Sequence, residues 1–189
     1  MRYPNHSIRQ YVAIQQWFTD NHKIPFYSCI FDNKTTNCYA WSISKNKHFI
    51  FGGAFPKKTA NQHFELLKEK LAQQGFIFGE PLKTEKCLVV YPNRFRDFYT
   101  GNENIFLIGE AAGFISASSL EGISYALDSA EILSKILNSG VAKPNKHYYQ
   151  KTMPLRFKLY SKIIKAKILT TPIWRKLIMK SKIQHIKTI

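Results

Sequence analysis

The sequence predicts an α+β fold: an antiparallel sheet with helices, followed by a helical C-terminal tail. Three observations carry that expectation. Between Pro25 and Phe55, three runs rich in aromatic and branched residues are separated by short polar breaks. Two later segments, near 59–75 and 120–140, place apolar residues at helical spacing. Beyond Lys143, apolar residues at helical spacing alternate with lysines.

The chain opens with Ile8, Tyr11, Val12, Gln15 and Phe18, whose spacing fits either a helix or an extended strand. Three strands then follow, Pro25–Phe31, Asn37–Ser44 and His48–Phe55, broken at Asp32-Asn33-Lys34 and Lys45-Asn46-Lys47, as in an antiparallel meander. Thr59 with Gln62 three residues later has the capping-box pattern, so a helix is expected from there. Phe64, Leu67 and Leu71 form its apolar stripe and Gly75 suits its end. Lys86–Tyr91 reads as a further strand, stopped by Pro92. Ile105-Phe106-Leu107-Ile108 is a continuous apolar run of the kind found in buried strands. A loop from Phe114 to Ser119 leads to a helix starting near Leu120, with Ile123, Leu127, Ala130, Leu133 and Leu137 as its apolar face and Gly140 as its stop. Pro144 marks the start of the tail. The expected division is a sheet region over 1–100, a motif with its helix over 101–140, and a basic helical tail over 141–189.

Composition narrows the classes. The 189 residues are 44% hydrophobic and 14% aromatic, which excludes wholesale disorder. No apolar run approaches the ~18 residues of a spanning helix, and Met1–His6 lacks the apolar stretch of a secretory leader. Three cysteines, Cys29, Cys38 and Cys87, are odd in number and sparse, which points to a reducing compartment and a cytoplasmic location. Cys29 and Cys38 fall in apolar runs and read as buried thiols. The six histidines show no metal-ligand spacing, so no metal is expected, and neither a serine-nucleophile motif nor a phosphate-binding P-loop is present. The net charge of +16 is uneven: 13 of the 28 basic residues lie between Lys143 and Lys187, where there is no acid.

The stretch with chemical content is Gly109-Glu110-Ala111-Ala112-Gly113, followed by Glu121-Gly122-Ile123 at a helix start. The end of a buried strand can place backbone amides around a ligand, and glycines permit close approach. Glu110 offers a carboxylate to a ligand hydroxyl. The helix start presents free amides and a positive dipole end to an anionic group. The plainer reading of the same residues is a tight strand–helix turn.

The ungapped run from Asn104 to Ala126 resembles the second flavin-binding motif of the geranylgeranyl reductase-like flavoproteins, within the wider group of FAD-dependent reductases and aromatic-ring hydroxylases. The resemblance covers about 20 residues. It implies FAD as cofactor, bound by Gly109, Glu110, Ala111, Ala112, Gly113, Glu121, Gly122 and Ile123. Glu110 would bind a ribityl hydroxyl, and Gly122 and Ile123 would face the pyrimidine end of the ring system. Glu110 stands where the family has Asp, and Ala117 where many members have Pro. Tyr39-Ala40-Trp41-Ser42-Ile43-Ser44-Lys45 with Phe49-Ile50-Phe51-Gly52-Gly53 is similar to a family segment lining the substrate cavity. That similarity implies Tyr39, Trp41, Phe49 and Phe51 as substrate-binding residues for an apolar, isoprenoid-like substrate; without it they read as core. No residue is assigned as a catalytic acid. The family begins with Gly-x-Gly-x-x-Gly, which holds the ADP half of FAD, and this chain has no such segment. The resemblance therefore implies a C-terminal half, made of the sheet domain, part of a flavoprotein nucleotide-binding domain and the tail, as a truncated or split product or an excised piece. Such a half would bind FAD weakly or not at all, as a non-catalytic remnant or as a subunit needing a separate FAD-binding N-terminal half as partner.

In the tail, Leu155, Leu159, Ile163, Tyr160 and Ile164 recur at helical spacing, Lys158, Lys162 and Lys165 share another face, and Trp174, Leu177 and Ile178 sit among Arg175, Lys176 and Lys180. A basic amphipathic helix with Trp suits an anionic membrane surface, giving a peripheral location. A helix packed on the body with a solvated basic face explains the pattern as well. Nucleic acid ranks behind both, because no recognised binding module accompanies the charge.

Overall fold

β1 (Arg9–Thr19) settles the opening segment as a strand. The structure, a computed structural model, describes residues 9–22 and 27–180. The positions of Ile8, Pro25 and Phe26, and of tail residues 181–189, lie outside the described residues. The expected meander follows as β2 (Tyr27–Ile30), β3 (Ala40–Lys45) and β4 (His48–Pro56), and β5 (Lys83–Tyr91) completes a five-stranded sheet in the order β2-β3-β4-β1-β5. β1 pairs antiparallel with β4, and β3 with both β2 and β4. Asn46 and Lys47 close the β3–β4 hairpin, both in the left-handed region, which matches the twist of the flanking strands.

The period of two sorts the sheet's side chains. Ile14, Phe18, Ala40, Phe49, Phe51 and Phe55 point to one face and are buried there. α1 (Ala60–Ala72) lays Phe64, Leu67 and Leu71 onto that face. The Phe64 ring stacks on Phe51 at 5.3 Å and meets Phe55 edge-on at 5.7 Å. Burying each such ring stabilises the fold by about 1.5–3 kcal/mol. The capping box expected at Thr59 and Gln62 does not form. A 3-10 turn over Lys57–Thr59 leaves Thr59 at φ −125°, ψ 17°, outside the extended region an N-cap needs, and its hydroxyl pairs with His63 Nδ1 at 3.2 Å. The stop near Gly75 holds: the Phe76 amide returns to the Leu71 carbonyl at 3.1 Å. Cys38 is buried, but Cys29 is exposed, because β2 is an edge strand with alternately open positions.

The chain divides into two compact units. One holds Gln10–Val89 with the segment from Thr170 onward; the other holds Val90–Leu169. The second unit contains a ribbon of β6 (Gly101–Asn102) and β7 (Ile105–Phe106), a 3-10 turn over Gly109–Ala112, and α2 (Ile123–Asn138), α3 (Pro144–Lys151) and α4 (Met153–Thr170, to Leu169). The buried strand expected over Ile105–Ile108 is instead a two-residue strand, with Ile105 and Ile108 exposed. Among the described residues β7 pairs with β6 alone. The helix expected near Leu120 begins three residues later, because Leu120 has a φ of +55° that no helix accepts.

α2 also turns its predicted stripe outward. Its buried residues are Tyr125, Ser129 and Ile136, while Ile123, Leu127 and Leu137 are 79%, 67% and 50% exposed. α3 starts with Pro144 at its first turn, where the missing amide costs nothing. Tyr148 is fully buried and donates to the Leu107 carbonyl at 3.0 Å. α4 buries Leu155, Leu159 and Ile163, as a packed tail requires, together with Arg156. The Arg156 guanidinium lies 3.9 Å from the Tyr149 ring centre and donates to the Tyr149 carbonyl. In the first unit, α5 (Pro172–Lys180) leaves Ile173, Trp174 and Leu177 exposed. Among the described residues no helix is long and apolar enough to cross a membrane.

Candidate functional site

The Gly109–Gly113 segment is a single 3-10 turn that runs onto α2. Gly109 sits at φ +54°, and a Cβ there would stand 2.9 Å from Ala126 Cβ. Its amide donates to Ser129 Oγ at 3.0 Å. The close approach that Gly109 permits is therefore to α2 of the same chain. The Gly113 amide returns to the Glu110 carbonyl at 2.9 Å and that of Phe114 to the Gly109 carbonyl at 2.8 Å, which closes the turn. Ala112 is buried and its carbonyl accepts from the Tyr99 amide at 3.1 Å, while Ala111 is exposed. Glu110 is exposed, and its Oε1 accepts from the Val90 amide at 2.9 Å. That bond ties the carboxylate to the end of β5.

The loop to α2 is held by its serines. The Ser116 amide donates to the Glu121 carbonyl at 2.8 Å, the Leu120 amide to the Ser116 carbonyl at 2.8 Å, and Ser119 Oγ to Ser116 Oγ at 2.8 Å. The Glu121 carboxylate accepts from the Ser124 hydroxyl. Gly122 is the N-cap of α2, and no side chain caps the helix. Its φ of −132° suits any residue, and a Cβ would meet only Ile115, at 3.6 Å or more. Nothing among the described residues requires glycine there. The first-turn amides of α2, with their positive dipole end, are left to solvent or a ligand.

The turn and the helix start are thus brought together by the Gly109–Ala126 contact. The four aromatic residues assigned to a substrate wall are not brought together. Phe49 and Phe51 point to the α1 face and have no exposure, so packing accounts for both. Trp41 projects from the opposite face, its ring over Gly52, where a Cβ would overlap it at 2.7 Å. Its Nε1 donates to Gln15 Oε1 at 3.2 Å, and the Tyr39 ring packs 5.8 Å away. Burial, with the neighbouring Cys29 and Tyr27, pushes the Tyr39 phenol up to about 12. A wall on that sheet face can include Tyr39 and Trp41, but not Phe49 and Phe51.

Sequence reasoning overlooked Val90, Ser129 and Asp97. Ser129 lies one helical turn from Tyr125 on the buried face of α2, and a lone serine at core spacing was the available signal. Asp97 Oδ2 accepts from the amides of Asn93 and Arg94, each at 2.9 Å, beneath Gly113. Nothing in the pattern marked Val90, because its partner lies 20 residues away. A separate cavity of about 410 Å³, lined by Ile132, Ile136, Val141, His147 and Lys151, contains none of the predicted site residues.

No protein-family model matches the chain. It is 59% identical over 184 residues to Protein CbrA of Escherichia coli O9:H4 (strain HS), a match covering 97% of this chain and 50% of that protein. It is 58% identical over 184 residues to Protein CbrA of Escherichia coli (strain K12), covering 97% and 52%. The chain thus spans about half the length of the curated relatives it matches. Among solved structures, a geranylgeranyl bacteriochlorophyll reductase-like protein from Thermoplasma acidophilum superposes with a TM-score of 0.67 at 15% identity, over 96% of this chain and 49% of that one. The chain therefore shares its fold with about half of that protein.

Proposed function

We propose that this chain forms the flavin-ring and substrate side of an FAD-dependent oxidoreductase acting on an unsaturated, apolar, isoprenoid-like compound. A half carrying the dinucleotide fingerprint completes the site. Gly122 carries the reading. A glycine that neither backbone strain nor a neighbour demands, at the uncapped start of a helix, leaves room for a flat ligand to lie against the backbone. The fold shared with a geranylgeranyl bacteriochlorophyll reductase-like protein supports it.

The residues fit the flavin end of FAD and not its ADP end, for which this chain has no Gly-x-Gly-x-x-Gly. Glu110, whose carboxylate accepts from the Val90 amide, would also accept from a ribityl hydroxyl. The amides of Gly122 and Ile123 present positive charge to the electron-rich pyrimidine edge. Tyr39 and Trp41 offer an apolar surface with polar tips for substrate. When bound, the flavin supplies the hydride, and the protein contributes position and electrostatics.

The test is to mix the chain with the half of the Escherichia coli K12 relative that it does not match, and to titrate FAD. The mixture is expected to bind FAD, and the chain alone weakly or not at all. Glu110→Ala should weaken binding in the mixture about tenfold to a hundredfold, since a hydrogen bond to a charged group is worth roughly 1.5–3 kcal/mol. A stoichiometrically yellow chain on its own would contradict the need for a second half. Unchanged affinity in Glu110→Ala would remove Glu110 from the site.

A second reading rests on α5. Exposed Ile173, Trp174 and Leu177, with Lys176 and Lys180 on the same short helix, suit reversible contact with an anionic lipid surface, which would bring the protein to a lipid-like substrate.

A further inference from the structure

We propose that the cavity between α2 and α3 is a binding site for a single-chain anionic amphiphile, of the kind a medium-chain fatty acid represents. It is a second site, independent of the flavin reading above. All of its lining belongs to the second unit. Ile132 and Ile136 stand one helical turn apart and share a face of α2. Gly140, at φ +64°, turns the chain after the helix, and Val141 and α3 then come beside that face. His147 and Lys151 stand one turn apart on α3 in the same way. The enclosed space of about 410 Å³ falls within the ~300–1,000 Å³ of small-molecule pockets. Ile136 is roughly 20 Å along α2 from Gly122, at 1.5 Å per residue, so the cavity is remote from the proposed flavin contacts.

The lining dictates both ends of the ligand. Ile132, Ile136 and Val141 are apolar, and the carbonyls that end α2 are already engaged. The Ser139 amide donates to those of Lys135 and Ile136 at 3.2 and 3.3 Å, its hydroxyl to that of Ile136 at 2.7 Å, and the Gly140 amide to that of Leu137 at 3.5 Å. Water in the cavity therefore finds few partners, and an alkyl chain that displaces it is favoured. The charged lining is all basic: Lys135, His147 and Lys151. Lys135 pairs with Glu131, but among the described residues no carboxylate lies within ion-pair distance of His147 or Lys151. Both are exposed, so the lysine stem can line the cavity while its ammonium meets water. Lys143 and Lys146 add charge at the start of α3, a helix without an acid. A cationic chain is repelled by this rim and a neutral one leaves it unanswered. A second copy of the chain would bring like charge against like.

The experiment titrates the full chain with decanoate by calorimetry, beside acetate and decyltrimethylammonium. One decanoate per chain is expected, with both comparators bound about tenfold more weakly or worse, since each lacks one of the two interactions. Lys151→Glu should weaken decanoate about tenfold or more with an unchanged circular dichroism spectrum. Lys176→Glu, exposed on α5 in the other unit, should leave it intact. Val141→Trp should fill the cavity and abolish binding. If that variant fails to fold, methyl chemical shifts of the wild-type chain decide instead, with Ile132, Ile136 and Val141 expected to move on adding decanoate. Absence of binding at millimolar decanoate, equal binding of acetate or decyltrimethylammonium, or indifference to Lys151→Glu in a folded variant would overturn the proposal. So would binding lost with Lys176→Glu, which would place the ligand on the tail. None of these outcomes bears on FAD, whose proposed contacts lie outside the cavity.

Discussion

Gly109 packs against Ala126 so closely that a Cβ on the glycine would stand 2.9 Å from the alanine's own. This contact sets the Glu110 turn on the first part of α2, and it separates two kinds of glycine in the motif. At Gly109 the positive φ and the neighbouring helix both demand the residue. At Gly122 neither does.

Gly109→Ala is therefore expected to destabilise the fold by about 1–3 kcal/mol, through overlap with α2 and backbone strain. Gly122→Ala should cost less than about 1 kcal/mol, the difference between glycine and alanine as N-caps. Flavin affinity in the two-part protein should fall with Gly122→Ala. Urea denaturation of the two variants, set beside FAD titration, reads both effects. Equal stability losses, or a Gly122→Ala protein with full flavin affinity, would dissolve the distinction.

Tyr148 links α3 to the strand region through Leu107. Burial pushes its phenol up to about 12, against an ordinary value of about 10. A raised folded value means that the contribution is complete below about pH 10 and is lost as the pH climbs towards 12. Tyr39, also raised to about 12 by burial, adds a loss of the same sign. Tyr148→Phe should cost about 1 kcal/mol at neutral pH and flatten the alkaline limb of the stability curve. Denaturant melts at stepped alkaline pH would show this, and an unaltered limb would count against the assignment.

Asp32 closes the turn after β2 and meets Lys70 Nζ at 2.6 Å. Burial acts to raise its carboxyl, but the Lys70 ammonium and the Lys34 amide outweigh it and hold the group below the usual range. The contribution is present above about pH 4 and is lost as the pH falls through the depressed value. Both side chains are partly exposed, so the pair is worth about 1 kcal/mol or less. Asp32→Asn should be slightly less stable at neutral pH and lose less on acidification. A mutant as acid-sensitive as the parent would show that other carboxylates govern that limb.

For the tail, co-sedimentation with vesicles is expected to be strong for anionic lipid, weak for neutral lipid and reduced by salt, as the Debye length falls from ~10 Å at 0.1 M to ~3 Å at 1 M. Trp174→Ser combined with Leu177→Ser should abolish most of it. Sedimentation unaffected by these changes would take α5 out of the argument, and tighter binding to duplex DNA at equal ionic strength would favour a nucleic-acid partner.

Local patterns were legible in the sequence. Period-two aromatics announced β2, β3 and β4, and Asn46-Lys47 marked the hairpin between the last two. The stripe of Phe64, Leu67 and Leu71 announced α1 and the face it buries. The strand–turn–helix order around Glu110 was legible too, because short-range sterics and apolar spacing act within a few residues of each other. Direction was decided by tertiary structure. The stripe of Ile123, Leu127 and Leu137 was readable, but its outward orientation depends on the burial of Tyr125, Ser129 and Ile136 on the other side of α2. Phe49 and Trp41 alternate along neighbouring strands and look alike in composition, yet they face opposite sides of the sheet once pairing with β1 and α1 sets the register. Glu110 meets Val90 only because the chain returns after 20 residues. Periodicity records that a face is apolar; which body covers it is fixed by contacts distant in sequence, which no local pattern encodes.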